Sequence, residues 1–256
     1  MAQVAQIRVY PVKGLDGVAL ESAAIRPGGT LAHDREYALF DADDEVINGK
    51  RTARIHELAT DFDPNAHVLT VETPTGACRS FDLDADRARA ETFFGEWFDI
   101  DVTIRRDESV GHVDRPDMGP SVVSTATLRT VASWFDDLTV AGVRRRLRAN
   151  VEVSGVPAFW EDRFVGDGAP TFEAGEVRFE GVTPCGRCVV PTRDPDTGEA
   201  LPEFRERFLR KREETFPEWA DRDAFEHFYT LMLIARVPED DRRQTLRVGD
   251  EVQTDS

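Results

Sequence analysis

Residues 183–199 read TPCGRCVVPTRDPDTGE and place two cysteines, Cys185 and Cys188, three positions apart before a turn rich in proline, aspartate and glycine. The chain has one other cysteine, Cys78. A Cys-x-x-Cys pair can be a redox dithiol, half of a zinc site or the source of one metal ligand, or it can have no chemical role. The residues around the pair discriminate between these alternatives.

A thioredoxin-type dithiol needs its first cysteine at the N-terminus of a helix, where the helix dipole lowers the pKa of the thiol. The pair is followed instead by VVP and DPDTG, which favour extended chain and a turn over a helix. Structural zinc needs two further ligands at close spacing, whereas Cys78 stands alone and the five histidines are scattered.

The DPDTG segment does not complete a calcium loop, because position twelve counted from Asp194 is Arg205 where a glutamate is required. The pattern therefore favours one thiolate that binds a metal whose other ligands belong to a bound cofactor. Arg187 lies between the two cysteines, where its charge favours the thiolate and can also bind an anion.

The sequence of 256 residues carries a formal net charge of −17, which repels nucleic-acid phosphates and anionic membranes. We therefore expect neither as a partner. Lysine occurs only at positions 13, 50 and 211, and arginine supplies the other basic residues. An acidic chain with almost no lysine predicts a halophilic protein, because high salt screens and hydrates excess surface charge. An ordinary acidic protein is the alternative.

The sequence contains no run that approaches the ~20 apolar residues of a membrane span. Its first residues, MAQVAQIRVYPVKG, lack the basic start, apolar run and cleavage site of a signal peptide. Three cysteines cannot form a disulfide framework. These features predict a soluble cytoplasmic protein.

Hydrophobic patterning predicts mostly short strands with a few helices. The predicted strands lie in residues 7–14, 17–27, 35–47, 67–76, 99–106, 148–155, 171–182, 228–237 and 246–252. Helices are predicted at 84–98, 203–214 and 218–228. Residues 122–135 are predicted to form a strand followed directly by a helix, with Ser124 or Thr125 as the N-cap of that helix. Strands dominate, which indicates an α+β fold with β-barrel-like sheets.

The cysteine segment resembles the signature of MOSC-domain proteins, in particular the branch that contains the mitochondrial amidoxime-reducing component and its bacterial relatives. Seven further segments resemble motifs of that family in sequence order: IRVYPVKGLDGVAL, HDREYALFD, KRTARIHEL, VVSTATLRTV, RLRANVEVSG, AFWEDRF and LRVGDEV. The resemblance implies a strand-dominated α+β fold in which a MOSC-type β-barrel packs with a smaller N-terminal β-rich domain. We place the boundary in the loop at 107–120, which gives domains 1–110 and 111–256.

In that family the second cysteine of the segment binds molybdenum, so the resemblance makes Cys188 the metal ligand and the catalytic residue, and Cys185 the cysteine that does not bind the metal. It also implies that a set of polar, basic and glycine residues contacts the molybdopterin cofactor: Lys13, Gly14, Arg35, Arg54, Ser124, Thr125, Arg148, Asn150, Gly186 and Arg187. Two positions depart from the family pattern, since Gly14 replaces the usual serine and Ala149 the usual proline.

These residue types suit a cofactor with a dithiolene, a pterin and a phosphate. Thiolate is a soft ligand for a metal, arginine presents a planar fork that matches a phosphate, and hydroxyls at a helix start add donors for an anion. By contrast, we expect the arginine run at 144–146 to be a solvated face. Cys78 is expected to be a small buried residue.

The resemblance implies a molybdenum-dependent oxidoreductase that removes oxygen from N-hydroxylated small-molecule substrates. No cysteine follows Cys188, so electrons are expected from a separate donor protein of the ferredoxin or flavoprotein type. The alternative is a sulfur carrier or sulfurtransferase, or a carrier of the cofactor itself, linked to a pyridoxal-phosphate-dependent desulfurase. A third reading is an anion-binding protein that has lost the metal.

Overall fold

The computed structural model describes residues 1–115 and 117–255. Strands dominate these residues, so the predicted α+β class is confirmed. The strands are β1 Gln3–Val9, β2 Val12–Lys13, β3 Val18–Leu20, β4 Ser22–Ala24, β5 Tyr37–Phe40, β6 Ala59–Asp63, β7 Val68–Glu72, β8 Cys78–Asp82, β9 Thr103–Arg106, β10 Ser121–Ser124, β11 Val151–Ser154, β12 Phe172–Ala174, β13 Val177–Gly186, β14 Thr230–Arg236, β15 Thr245–Arg247 and β16 Val252–Thr254. The α-helices are α1 Arg87–Phe98, α2 Thr125–Ser133, α3 Val140–Leu147 and α4 Phe204–Glu214.

The largest sheet has eight strands in the order β16-β12-β13-β14-β10-β11-β1-β3. Its first strand in sequence, β1, pairs on one side with β11, from the second half of the chain, and on the other side with β3. Val4 also exchanges backbone hydrogen bonds with the last segment, donating to the oxygen of Asp250 and accepting from the amide of Gly249. The two ends of the chain are therefore joined in one sheet.

Three smaller sheets complete the fold: β2-β5-β9, the meander β6-β7-β8 and the pair β15-β4. Three hydrophobic cores result from this arrangement, and one of them packs the helices α2, α3 and α4 around Leu128, Leu147 and Phe208. A second core is built only from the first half of the chain, between Val12 and Ile104, around Tyr37, Phe81 and Phe94. The core of the large sheet mixes both halves, since β1 packs its buried residues against β10, β11 and β12. The division at residues 110 and 111 stays a prediction.

Helix α2 begins directly at the end of β10, as the sequence predicted. The hydroxyl of Ser124 accepts the backbone N–H of Thr127 at 2.9 Å, which confirms the predicted N-cap. The predicted helix at 218–228 is wrong, because only one turn of 3-10 helix forms at Arg222–Ala224. There the carboxylate of Asp221 accepts the N–H of Asp223, and such a local turn competes with helical hydrogen bonding.

Two further expectations are corrected. Residues 144–146 lie in the last turn of α3, a helix that was not predicted from the sequence. Arg146 is buried, with 5% exposure, and is not part of a solvated face. Cys78 begins the edge strand β8 and is exposed, because the three-stranded meander buries only Phe81 from that strand. None of the helices described is long and apolar enough to cross a membrane.

Candidate functional site

A cleft of about 650 Å³ lies where the two halves of the chain meet. Its wall is formed by the end of β2, the loop after β5, the loop between β9 and β10, the C-terminus of α3 and the end of β13. Eight of the predicted site residues line it, namely Lys13, Gly14, Arg35, Arg148, Asn150, Gly186, Arg187 and Cys188. The fold therefore brings together residues that are far apart in sequence around the cysteine segment.

The cysteine segment enters the cleft as strand β13 ends. Cys185 is the penultimate residue of the strand, and Cys188 follows in the loop before a single 3-10 turn at Val190–Thr192. Both thiols are partly buried. The hydroxyl of Tyr229 donates to the carbonyl oxygen of Cys188 at 3.2 Å and so fixes the loop. The first cysteine lies in a strand and not at a helix N-terminus, as predicted. The residues after Cys188 form a 3-10 turn instead of the predicted extended chain.

The turn after the cysteines is held in place by Asp194. Its carboxylate accepts the backbone N–H groups of Asp196 and Thr197, at 2.9 and 3.1 Å. Gly198 has a positive φ of 73°, and a Cβ atom there would lie 2.5 Å from the carbonyl oxygen of Ala53. Glycine is thus required for the turn to pack against the first half of the chain, and the turn fixes the segment that follows Cys188.

Two arginines flank the ring of Tyr10 at the cleft wall. The guanidinium carbon of Arg148 lies 4.0 Å from the ring centre and that of Arg35 lies 5.3 Å from it. Both residues have left-handed backbone, with φ of 60° and 50°. This conformation costs an L-residue about 1–2 kcal/mol, and such strain concentrates at functional sites. The backbone at these two positions is therefore strained, and each guanidinium is held against one aromatic face.

The positive charge of the cleft is not neutralised locally. Arg35 is paired with Asp34, but Arg148 and Arg187 form no ion pair with a carboxylate in the described residues. Arg187 donates to the sulfur of Cys185 at 3.2 Å and to the carbonyl oxygen of Leu147 at 2.9 Å. Burial and the charge of Arg35 lower the pKa of Arg148, although Tyr10 opposes this. In a chain of charge −17, two unpaired guanidiniums in one cleft form an anion site.

Two of the three lysines also meet in the cleft. Lys13 and Lys50 both bind the carboxylate of Asp114, at 2.6 and 2.9 Å. Burial acts to raise the pKa of Asp114, but the hydrogen bonds from the two lysines outweigh it and hold that pKa well below the usual value. Burial likewise acts to lower the pKa of Lys50, but Asp114 and the nearby Cys188 and Cys185 leave it raised. Lys50 therefore keeps its proton near both thiols.

His56 is a further residue of the cleft wall that the sequence did not indicate. Burial, together with the charges of Arg148 and Arg193, lowers the pKa of His56 to about 4. The imidazole is therefore neutral at physiological pH. Its Nε2 is buried and has no hydrogen-bond partner in the described residues. A Cβ atom on Gly49 would lie 2.4 Å from this nitrogen, so the close packing of the ring requires glycine there.

Comparison with known proteins identifies the family of the chain. The family described as "MOSC N-terminal beta barrel domain" matches residues 1–138, and the family described as "MOSC domain" matches residues 115–253. Each match covers more than half of the chain. The chain belongs to the MOSC family. The predicted family is thereby confirmed.

The MOSC chain is similar to curated proteins at low identity. The human mitochondrial amidoxime-reducing component 1 is 23% identical over 76% of this chain and 67% of that protein. The molybdenum cofactor sulfurase of Caenorhabditis briggsae is 26% identical over 75% of this chain, which spans only 29% of the sulfurase. The crystal structure of YiiM from Geobacillus stearothermophilus aligns with 55% of each chain at 11% identity and a TM-score of 0.36.

Three residues that the MOSC resemblance implicated lie outside the cleft wall. Arg54 is exposed and stacks 5.1 Å from the centre of the Trp97 ring. Ser124 is fully buried as the cap of α2, and the hydroxyl of Thr125 donates to Glu152 at 2.8 Å. The side chains of these three residues contact other parts of the protein. Their direct contact with a cofactor in this cleft stays a prediction.

Asn150 lines the cleft but its amide is already engaged. The side-chain oxygen accepts both the N–H and the hydroxyl of Ser121, and the amide nitrogen donates to the carbonyl oxygen of Arg8 at 3.1 Å. These bonds join β10, β11 and β1 directly beside Arg148. Within this MOSC chain Asn150 therefore positions the cleft wall.

The residues of the cleft fit a molybdopterin cofactor. Cys188 provides a soft donor for the metal, and Arg148 and Arg187 provide charged donors for an anionic group. The buried Nε of Arg187 has no partner in the described residues, and buried polar groups are normally satisfied. An unsatisfied donor of this kind is consistent with a polar ligand in the MOSC cleft.

Proposed function

We propose that this MOSC protein is an oxidoreductase that binds molybdenum-molybdopterin through Cys188 and reduces N-hydroxylated substrates with electrons from a separate ferredoxin or flavoprotein donor. The proposal rests on the position of Cys188 in one cleft with Arg148 and Arg187, whose guanidiniums lack carboxylate partners in the described residues. When bound, the cofactor supplies the two-electron redox chemistry that breaks an N–O bond.

Cys188 would act as a ligand from a fixed position. The bond from Tyr229 to its carbonyl oxygen and the short turn that follows restrict the loop. A ligand that is held in advance avoids the entropy of ordering when the metal binds. Lys50, which keeps its positive charge, lies near the same thiol.

Arg148 and Arg187 would orient the anionic part of the cofactor. Arg148 is held on the ring of Tyr10, and Arg187 is held by Cys185 and the carbonyl oxygen of Leu147. Such pre-positioned guanidiniums can bind an oxyanion without losing much side-chain freedom. His56, which is neutral at physiological pH, adds no charge to the cleft.

Reduction of an N-hydroxyl group to N–H takes two electrons and two protons and releases one water. The protons can enter through the cleft, which at about 650 Å³ has the size of a small-molecule site. Lys50 retains its proton at Nζ, so its role in this scheme is electrostatic. The reaction needs a donor of two electrons, for which we propose the ferredoxin or flavoprotein named above.

The experiment that tests this proposal is a measurement of molybdenum and pterin in the protein purified from a host that makes the cofactor. About one molybdenum and one pterin per chain supports it, and turnover of an amidoxime with a chemical reductant extends it to catalysis. Absence of both from protein that is folded and made in such a host contradicts the proposal.

A second function has one observation in its favour. Arg187 donates to the sulfur of Cys185 at 3.2 Å, which suits a thiolate or a persulfide anion at Cys185. The similarity to a molybdenum cofactor sulfurase points in the same direction. A sulfur carrier gains one sulfur atom on a cysteine after incubation with a cysteine desulfurase and cysteine, as measured by mass spectrometry. Protein that retains molybdenum and gains no sulfur excludes this function.

A further inference from the structure

A second, much smaller cavity of about 20 Å³ adjoins the cleft behind His56. Its wall is formed by the turn after β2, the 3-10 turn at Ala53–Glu57, the end of α3 and the segment after Cys188. It shares Gly14, His56, Arg148 and Val190 with the cleft. A cavity of this size holds one or two waters or a single atomic ion, and is too small for a tetrahedral oxyanion.

Unsatisfied nitrogens concentrate around this cavity. The Nε atoms of Arg146 and Arg193 and the Nε2 of His56 are buried and have no hydrogen-bond partner in the part of the chain that the structure describes. All three residues line the cavity. Each buried donor left without a partner costs about 1–3 kcal/mol, so three from one small cavity indicate that a ligand accepts from them.

The charge around the cavity indicates that this ligand is an anion. Four arginines line it, at positions 145, 146, 148 and 193. The carboxylates paired with them are Asp16 and Asp196 on Arg145, and Asp194 on Arg146. Arg193 is paired with no carboxylate in the described residues, and His56 is neutral at physiological pH, so the charge of Arg193 is the one that an anion in the cavity balances.

No further carboxylate among the described residues neutralises this buried positive charge. Arg146 is only 5% exposed, and burial lowers its pKa, assisted by Arg145 and opposed by Asp194. Arg193 has one side-chain hydrogen bond, to the carbonyl oxygen of Gly198 at 3.2 Å. A buried cation without a counter-ion is costly, and a monovalent anion in the cavity removes the imbalance.

We infer that the cavity lined by His56, Arg146, Arg148 and Arg193 is a binding site for a single chloride ion, separate from the cleft that takes the cofactor. The ion accepts from the Nε–H groups of Arg146 and Arg193 and from the His56 ring, which then carries its proton on Nε2. It joins the C-terminus of α3 to the segment after Cys188. Chloride therefore stabilises the fold by mass action, apart from general charge screening.

The test uses the full chain with labelled histidine, whose ring signals are titrated with pH by NMR in potassium chloride and in potassium gluconate at equal ionic strength. The pKa of His56 is expected to rise with chloride and to saturate, since a bound anion favours the imidazolium. The exposed His227, which does not line the cavity, is the internal reference. Equal pKa values of His56 in the two salts would overturn the inference and leave a water in the cavity.

Two variants make the result specific. Arg193→Gln removes one donor and the surplus charge, and is expected to abolish the chloride-dependent shift of His56. Arg105→Gln is the matched control, because Arg105 is about half-exposed and paired with Asp44. If Arg193→Gln does not fold, crystals of the unmodified protein soaked in bromide decide the question. An anomalous peak in the cavity supports the site, and its absence contradicts it. Neither readout depends on molybdenum, so it is independent of the proposed function.

Discussion

Arg187 donates to the sulfur of Cys185 at 3.2 Å, while no side chain in the described residues donates to the sulfur of Cys188. The two thiols of one short motif thus have different environments. Cys185 has a fixed cationic partner, whereas Cys188 presents a thiol without one to the cleft. This asymmetry assigns them different chemistry and gives the first prediction.

Cys188→Ala is expected to abolish molybdenum retention, because it removes the soft donor, whereas Cys185→Ala should largely spare it. Metal analysis of both variants, purified in parallel with the unmodified protein, measures the difference. Their melting temperatures serve as the control for folding. Equal losses of molybdenum in two folded variants contradict the assignment of Cys188 as the ligand.

Arg148→Asn is expected to weaken anion binding at least tenfold, since a hydrogen bond to a charged group contributes about 1.5–3 kcal/mol. The free energy of unfolding should change by less than about 1 kcal/mol. Asparagine tolerates the left-handed backbone at this position, which offsets the loss of the contact with Tyr10. Phosphate titration and chemical denaturation measure the two quantities.

Arg148→Lys provides the matched control, because it keeps the charge and loses the planar fork. Its phosphate affinity should fall between those of the unmodified protein and Arg148→Asn. A large loss of stability in Arg148→Asn with unchanged phosphate affinity means that Arg148 is a structural residue only.

Asp114→Asn is expected to raise the affinity of the cleft for phosphate, because it releases Lys13 and Lys50 from their shared carboxylate. The unmodified protein should show a similar gain only at strongly acidic pH, where Asp114 is protonated, since its pKa is lowered. Calorimetric titration with phosphate at pH 7 measures the effect. Asp117→Asn in the same loop is the control and should leave the affinity unchanged. Equal effects of the two variants would falsify the specific role of Asp114.

Glu36→Gln is expected to destabilise the protein by about 3–5 kcal/mol, because it leaves the buried Arg26 without its carboxylate. Burial acts to raise the pKa of Glu36, but hydrogen bonds from His33 and Arg106 and the charge of Arg26 lower it to about 2. The unfolded value is about 4.5. The carboxylate therefore stabilises the fold fully above pH 4.5, and this stabilisation is lost as the pH falls towards 2.

Chemical denaturation between pH 3 and pH 7 tests this pH dependence. The difference in free energy of unfolding between Glu36→Gln and the unmodified protein should become smaller at the acidic end. Glu108→Gln is the control. Glu108 also contacts Arg106, at 3.1 Å, but its side chain is 70% exposed, and exposed ion pairs contribute about 0–1 kcal/mol. A loss from Glu108→Gln as large as that from Glu36→Gln contradicts the prediction.

The melting temperature is expected to rise from low to multimolar potassium chloride, because the chain carries a charge of −17 that salt screens. Differential scanning calorimetry in potassium chloride and in potassium gluconate separates screening from specific chloride binding. A melting temperature that does not change over this range in either salt removes the interpretation as a halophilic protein.

The sequence predicts those parts of the molecule that local patterns determine. The transition from β10 to α2 could be predicted because Ser124, a residue that commonly caps helices, stands at the end of an apolar run. The turn after Cys188 could be predicted from its proline, aspartate and glycine residues. Helix α3 could not be predicted from the sequence, because Arg146 stands in a run of charged residues that is typical of an exposed surface. Its burial follows only from contacts made after folding, such as the hydrogen bond to the carbonyl oxygen of Pro191.

The same distinction applies to the cleft. Family motifs indicated the cysteine segment and Arg148, but they gave no indication of Asp114 or His56. Asp114 meets Lys13 across 101 positions of sequence, and His56 acquires its low pKa from burial and from the charges of Arg148 and Arg193. Such contacts exist only after the chain has folded. The scarcity of lysine was the one sequence feature that pointed to the cleft, since two of the three lysines meet there.

The placement of β1 determines the order in which the chain can fold. The core between Val12 and Ile104 requires no later residue, so it can form while the rest of the chain is still being made. By contrast, β1 needs β11 and the segment around Asp250 as partners, and domains generally fold in the order of synthesis. Strand β1 can therefore take its place in the sheet only after these later partners have been synthesised.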